Sequence, residues 1–103
     1  MSDTASQGAD AGIGTLRRTL PITNKRGLHA RAAAKFVRMA GQFDAMVRVS
    51  FKSQEVSGLS IMGLMMLAAG PGTTVRISAQ GVEAEAALVA IAELIASKFG
   101  EEE

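Results

Sequence analysis

The apolar residues of this chain repeat every second position in some stretches and every third or fourth in others, and the two patterns alternate. No other feature constrains the fold as much. A two-residue repeat puts apolar side chains on one face of a strand, whereas i, i+3, i+4, i+7 spacing makes one stripe of a helix. In "LRRTLPIT", Leu16, Leu20 and Ile22 share an alternating face broken only by Arg18, which predicts a strand over 16–23. Pro21 cannot donate to a ladder and suits an edge or a strand end. After the turn "NKRG", Ala33, Phe36, Val37 and Ala40 take helical spacing, with Arg31, Lys35 and Arg38 outside and Gly41 as the stop.

"AMVRVSF" alternates again, with Val47, Val49 and Phe51 inward and Arg48, Ser50 and Lys52 outward. A turn over 52–54 and the short strand "EVS" complete a hairpin. "SIMGLMMLAAG" reads as a short helix starting at Ser60 and stopped by "GPG" at 70–72, and "TTVRISA" alternates on Val75, Ile77 and Ala79. The last helix begins near Glu83 with a core stripe of Leu88, Ile91, Ala92, Ile95 and Phe99. Glu83 and Glu85 stand at its positive end, Lys98 near its negative end, and Gly100 closes it, as the helix dipole prefers. The order is β-α-β-β-α-β-α. Four strands that are apolar on one face need a layer of helices over that face, so the expected fold is a two-layer, open-faced α/β (α+β) sandwich.

At 103 residues the chain is one domain, large enough to bury a core without staples. It has no cysteine, so disulfides and thiolate metal sites are excluded, and a single histidine makes a structural zinc site untenable. The longest apolar stretch, from Ile61 to Ala69, is about half of the ~20 residues that a membrane helix needs. The start "MSDTASQGADAGIGT" lacks the basic and apolar regions of a secretory signal. A cytoplasmic protein is expected, with residues 1–14 as a disordered tail and 15–103 as the folded domain.

The net charge of +1 conceals an asymmetry. Between Leu16 and Gln54 stand nine basic residues, among them Arg26, Arg31, Lys35 and Arg38, against the single acid Asp44, while the chain ends "GEEE". Such a distribution suits one positive face that meets an acidic partner or a phosphate. A nucleic-acid binder would also be basic. With no tyrosine or tryptophan, and four phenylalanines at core or capping positions, the stacking platforms of such proteins are missing.

His29 is the one histidine, in "GLHARAAAKFVRMAG". Gly27 lets the chain turn sharply into the helix, and His29 falls at or beside its N-cap. There the first N–H groups lack intrahelical partners, and the positive end of the dipole favours an anion over an imidazolium. A neutral imidazole is a competent nucleophile, and a phosphoryl group placed on it would meet free N–H groups. Arg31 could add a planar fork for phosphate oxygens. Ser60 is a favoured N-cap residue. Of Met62, Met65 and Met66, not all can face the core of so short a helix, which leaves an adaptable apolar patch.

"GLHARAAAKFV" resembles the active-site segment of the HPr phosphocarrier family of the phosphoenolpyruvate-dependent phosphotransferase system, whose pattern is Gly-Leu/Ile-His-Ala/Thr-Arg-Pro-Ala. A second block, "SIMGLMMLAAGPGTTVRISAQG", is similar to the family's regulatory segment and last strand. The resemblance spans about residues 16–100 and implies a four-stranded antiparallel sheet in the order 1-4-2-3. It implies that His29 carries the phosphate on Nδ1, that Arg31 contacts it, and that Ser60 is the serine a dedicated kinase modifies in many bacterial members. Met62 and Met65 match a patch that docks partners.

The resemblance further implies a monomeric carrier rather than an enzyme with a substrate of its own, needing no metal or organic cofactor. It would accept phosphate from enzyme I and pass it to IIA-type domains. The chain departs from the pattern at Ala32, where proline is usual, and at Leu59, where many members have lysine. The alanine resembles nitrogen-type and alpha-proteobacterial members, which makes a regulatory branch that moves no sugar the alternative to sugar transport.

Overall fold

The computed structural model describes residues 15–101. The expected tail over 1–14 lies outside them, as do the last two glutamates. The described elements are β1 (Thr15–Pro21), α1 (Ala30–Ala40), β2 (Met46–Phe51), β3 (Gln54–Ser57), α2 (Ile61–Met66), β4 (Thr74–Gln80) and α3 (Ala84–Ala96). The order is the expected one.

The strands form one sheet in the order β1-β4-β2-β3, and each neighbouring pair is antiparallel. Thr15 pairs with Gln80, Met46 with Gln80, and Arg48 with Ser57. This register puts Val47, Val49, Val75, Ile77 and Ala79 on one face, all buried, and Arg48, Arg76 and Ser78 on the other. The helices cover only the first face. Phe36 of α1, Leu64 of α2 and Ile91 and Ile95 of α3 are buried over it. Burying side chains of this size stabilises by roughly 1.5–3 kcal/mol each. Ala32 and Ala33 are fully buried, so α1 can lie close to its neighbours.

Local chemistry explains most boundaries. The β2–β3 hairpin closes in two residues because Lys52 takes φ +57°, the left-handed entry that tight hairpin turns require. Pro21 ends the edge strand β1, paired with Thr74. The first strand stops there and not at Thr23, yet Ile22 stays buried and bonds the backbone of Gly72 and Thr73 at 2.9 and 2.8 Å. Phe51 is only half-buried at the hairpin end.

Two helix ends differ from expectation. The helix begun at Ser60 ends at Met66, with Ala68 left-handed at φ +58°, before "GPG" is reached. The α3 helix ends at Ala96, so Phe99 is no part of its stripe. Phe99 is fully buried from a tight turn, Lys98–Gly100, in which all three residues have positive φ. Glu83 takes the N-cap position of α3, but its carboxylate accepts from the Asp44 N–H at 2.6 Å and does not cap the helix.

Candidate functional site

The turn into α1 is set by Gly27. Its φ is +66°, and a Cβ there would lie 2.6 Å from the Ala69 carbonyl oxygen. The next residue, Leu28, is buried and donates its N–H to the same oxygen at 3.1 Å. The loop is thus pinned from both sides, and the residue after it, His29, is the N-cap of α1. The His29 carbonyl accepts the first intrahelical bond, from Ala33 at 2.8 Å, while its side chain makes no capping bond. The N–H groups ahead of that bond are those a helix leaves unpaired.

The His29 ring has a different partner. Its Nε2 hydrogen-bonds the Glu101 carboxylate, whose other oxygen accepts from the Asn24 side-chain amide at 3.1 Å. Asn24 is fully buried and also donates to the Gly27 carbonyl at 2.8 Å, which fixes which way its amide points. An ionised carboxylate only accepts, so Nε2 carries a hydrogen, and in the neutral ring the lone pair lies on Nδ1. Nδ1 makes no hydrogen bond among the described residues and is not buried. Burial pushes the Glu101 carboxyl up, but hydrogen bonds from His29 and Asn24 and the charges of His29 and Arg26 outweigh it and hold it below the usual glutamate value.

Arg31 is exposed in the first turn of α1, with no ion-pair partner among the described residues. Arg26 and Arg38 are exposed too, but Lys35 is not a free member of the basic group. It is half-buried, and its ammonium donates to the Phe99 carbonyl at 2.6 Å. Ser60 caps α2 as expected, its hydroxyl accepting from the Gly63 N–H at 2.9 Å. Leu59, Ile61, Met62, Met65 and Met66 are all exposed around it, and Leu64 is the residue α2 sends into the core. Among the described residues no group of three or more metal-ligating side chains comes together, and no helix is long and apolar enough to cross a membrane.

Sequence reasoning singled out His29, Arg31 and Ser60 but not Asn24 and Glu101, which the structure brings to the His29 ring. Asn24 read as a turn residue and Glu101 as part of an acidic end. They lie 77 residues apart, and no local pattern links them.

A family model described as the phosphotransferase-system HPr component phosphorylation site matches residues 16–97. The chain is 48% identical to the phosphocarrier protein HPr of Cupriavidus necator over 88 residues, 85% of this chain and 99% of that protein. It is 43% identical to the phosphocarrier protein NPr of Shewanella violacea over 86 residues, 84% and 94% of the two. The crystal structure of HPr-C-His from Thermoanaerobacter tengcongensis superposes with a TM-score of 0.82 at 44% identity, covering 85% of this chain and 99% of that one. With a family model matched over most of its length and relatives more than 40% identical over nearly their whole length, the chain belongs to the HPr family of phosphocarriers of the phosphotransferase system.

Proposed function

We propose that His29 is the phosphoryl acceptor, taking the group from a phosphohistidine of enzyme I and giving it to a histidine of IIA-type domains. The observation that carries this reading is the seat of the ring: a histidine on the N-cap of α1 that does not cap it and leaves Nδ1 accessible. The Nδ1 lone pair attacks phosphorus, the P–N bond to the donor breaks, and the donor ring keeps that electron pair. The transferred group then lies at the positive end of α1, where unpaired N–H groups and the Arg31 guanidinium offset its charge. Positioning and electrostatics do the work, and no cofactor enters.

Arg26, Arg31 and Arg38 form the steering charge, and Met62 and Met65 with their apolar neighbours form the docking patch. An exposed methionine pair adapts to more than one partner surface, which suits a carrier that must fit both a donor and an acceptor. Ser60 lies inside that patch, and a phosphate on it would require desolvation on docking. A kinase acting on Ser60 would therefore weaken partner binding. Incubation with enzyme I and phosphoenolpyruvate, followed by purified IIA-type domains of sugar and nitrogen branches, tests the scheme. Transfer to a nitrogen-type acceptor alone would assign the regulatory branch, which Ala32 favours.

A further inference from the structure

The turn after α3 is built at a conformational cost. Lys98 and Phe99 have φ of +58° and +56°, a region L-residues avoid, and Gly100 follows at +78°. Three interactions hold it. The Phe99 ring is fully buried, the Phe99 carbonyl receives the Lys35 ammonium, and Gly100 supplies the third left-handed residue without a Cβ. The consequence is directional: the chain leaves α3 and delivers the next side chain, Glu101, to the start of α1. There one carboxylate oxygen takes the buried Asn24 amide and the other takes His29 Nε2. Strained backbone over-determined by its surroundings is a mark of functional sites, and here its product is a carboxylate on the catalytic ring.

We propose that Glu101 is a positioning residue for phosphoryl transfer, holding the His29 ring by its Nε2–H so that Nδ1 stays the nucleophile. The inference rests on His29 being the acceptor. When Nδ1 attacks phosphorus, the proton on Nε2 stays in place and the ring gains positive charge. The Glu101 carboxylate faces that charge across the hydrogen bond, a stronger bond than the same carboxylate makes to the neutral ring. The same ring cation is a better leaving group when phosphate moves on, so one contact serves both directions. The arrangement follows the general rule that the second nitrogen of a working imidazole is oriented by a carboxylate. Asn24, anchored to the Gly27 carbonyl, fixes the carboxylate in turn.

The test compares wild-type protein with Glu101→Ala and Glu101→Gln in single-turnover phosphorylation by phosphorylated enzyme I, alongside 1H–15N spectra of the His29 ring. Glu101→Ala should slow the saturated transfer step about tenfold, the lower range for a hydrogen bond to a charged group, with little change in half-saturation. The His29 Nε2–H signal, slowed in exchange by the carboxylate, should disappear in that variant. Glu101→Gln keeps one acceptor oxygen for two donors and should fall between. If wild type and Glu101→Ala are labelled at the same rate with the same ring signal, Glu101 has no such role while His29 remains the acceptor. If wild type takes up no label at all, the acceptor reading fails and this inference with it.

Discussion

The backbone of Gly27 passes so close to Ala69 that a Cβ on residue 27 would stand 2.6 Å from the Ala69 carbonyl oxygen and 2.8 Å from the Gly70 Cα. The loop that presents His29 is therefore seated directly on the segment that follows α2. Because that segment follows the exposed apolar residues Met62 and Met65 of α2, the loop bearing His29 and that apolar patch are tied together by backbone contact.

Gly27→Ala should damage both fold and site. The side chain meets backbone atoms, which cannot rotate away, and the residue must also hold a φ of +66°. Left-handed strain alone amounts to about 1–3 kcal/mol. In a domain of this size that lowers the melting temperature by several degrees, since ~1 kcal/mol corresponds to roughly 4–8 °C. Phosphorylation of the variant should be slow even at temperatures where it is folded. An unchanged melting temperature would show that the loop can lift off Ala69.

Ser60→Ala should lose about 1 kcal/mol by freeing the Gly63 N–H, and it should accept phosphate on His29 at the normal rate. Ser60→Asp keeps an acceptor for that N–H and should melt close to wild type. Its added charge stands among Leu59, Ile61 and Met62, so the half-saturation for enzyme I should rise. Equal half-saturation for the two variants would reduce Ser60 to a cap.

Arg31→Ala should leave the melting temperature unchanged, since the side chain is exposed and has no ion-pair partner among the described residues, and should slow transfer about tenfold by removing a charge-assisted contact to phosphate. Association with enzyme I should weaken as salt rises, because the Debye length falls from ~10 Å at 0.1 M to ~3 Å at 1 M. Salt-insensitive association would remove Arg26 and Arg38 from the steering surface.

The Glu101 carboxyl should titrate below the ordinary glutamate value of ~4.3. A carboxyl lowered on folding contributes stability above its unfolded pKa, and that stability is lost as pH falls through the folded value. Wild type should thus exceed Glu101→Gln in melting temperature near neutral pH, and the gap should close below pH ~4. Side-chain 13C titration reads the group directly. In His29→Ala its midpoint should rise, because a donor and a charge are gone while burial remains. A midpoint that stays put would mean that His29 does not hold the carboxylate.

Much of this was legible in the sequence because periodicity acts locally. The alternation of Val47 with Val49 and of Val75 with Ile77 marked the central strands, and "GLHAR" marked the turn into α1. What escaped depends on three-dimensional closure. Phe99 continues the helical spacing of Ile91 and Ile95, so pattern alone extends α3 over it, but the left-handed turn at Lys98 breaks the helix first. Lys35 shares a charged face with Arg31 and Arg38, yet the same turn converts it from a surface cation to a brace on Phe99. Glu101 reaches His29 across 72 residues, and nothing near either residue announces the other.

The most direct measurement is chemical identification of the phosphorylated atom. Wild-type protein and His29→Ala are incubated with enzyme I and phosphoenolpyruvate, and the label is characterised by 31P and 15N spectroscopy and by its stability in acid and base. One acid-labile, base-stable phosphate is predicted, bonded to Nδ1 of His29 and absent from His29→Ala. A phosphate bonded to Nε2, or the same label on His29→Ala, would contradict the account.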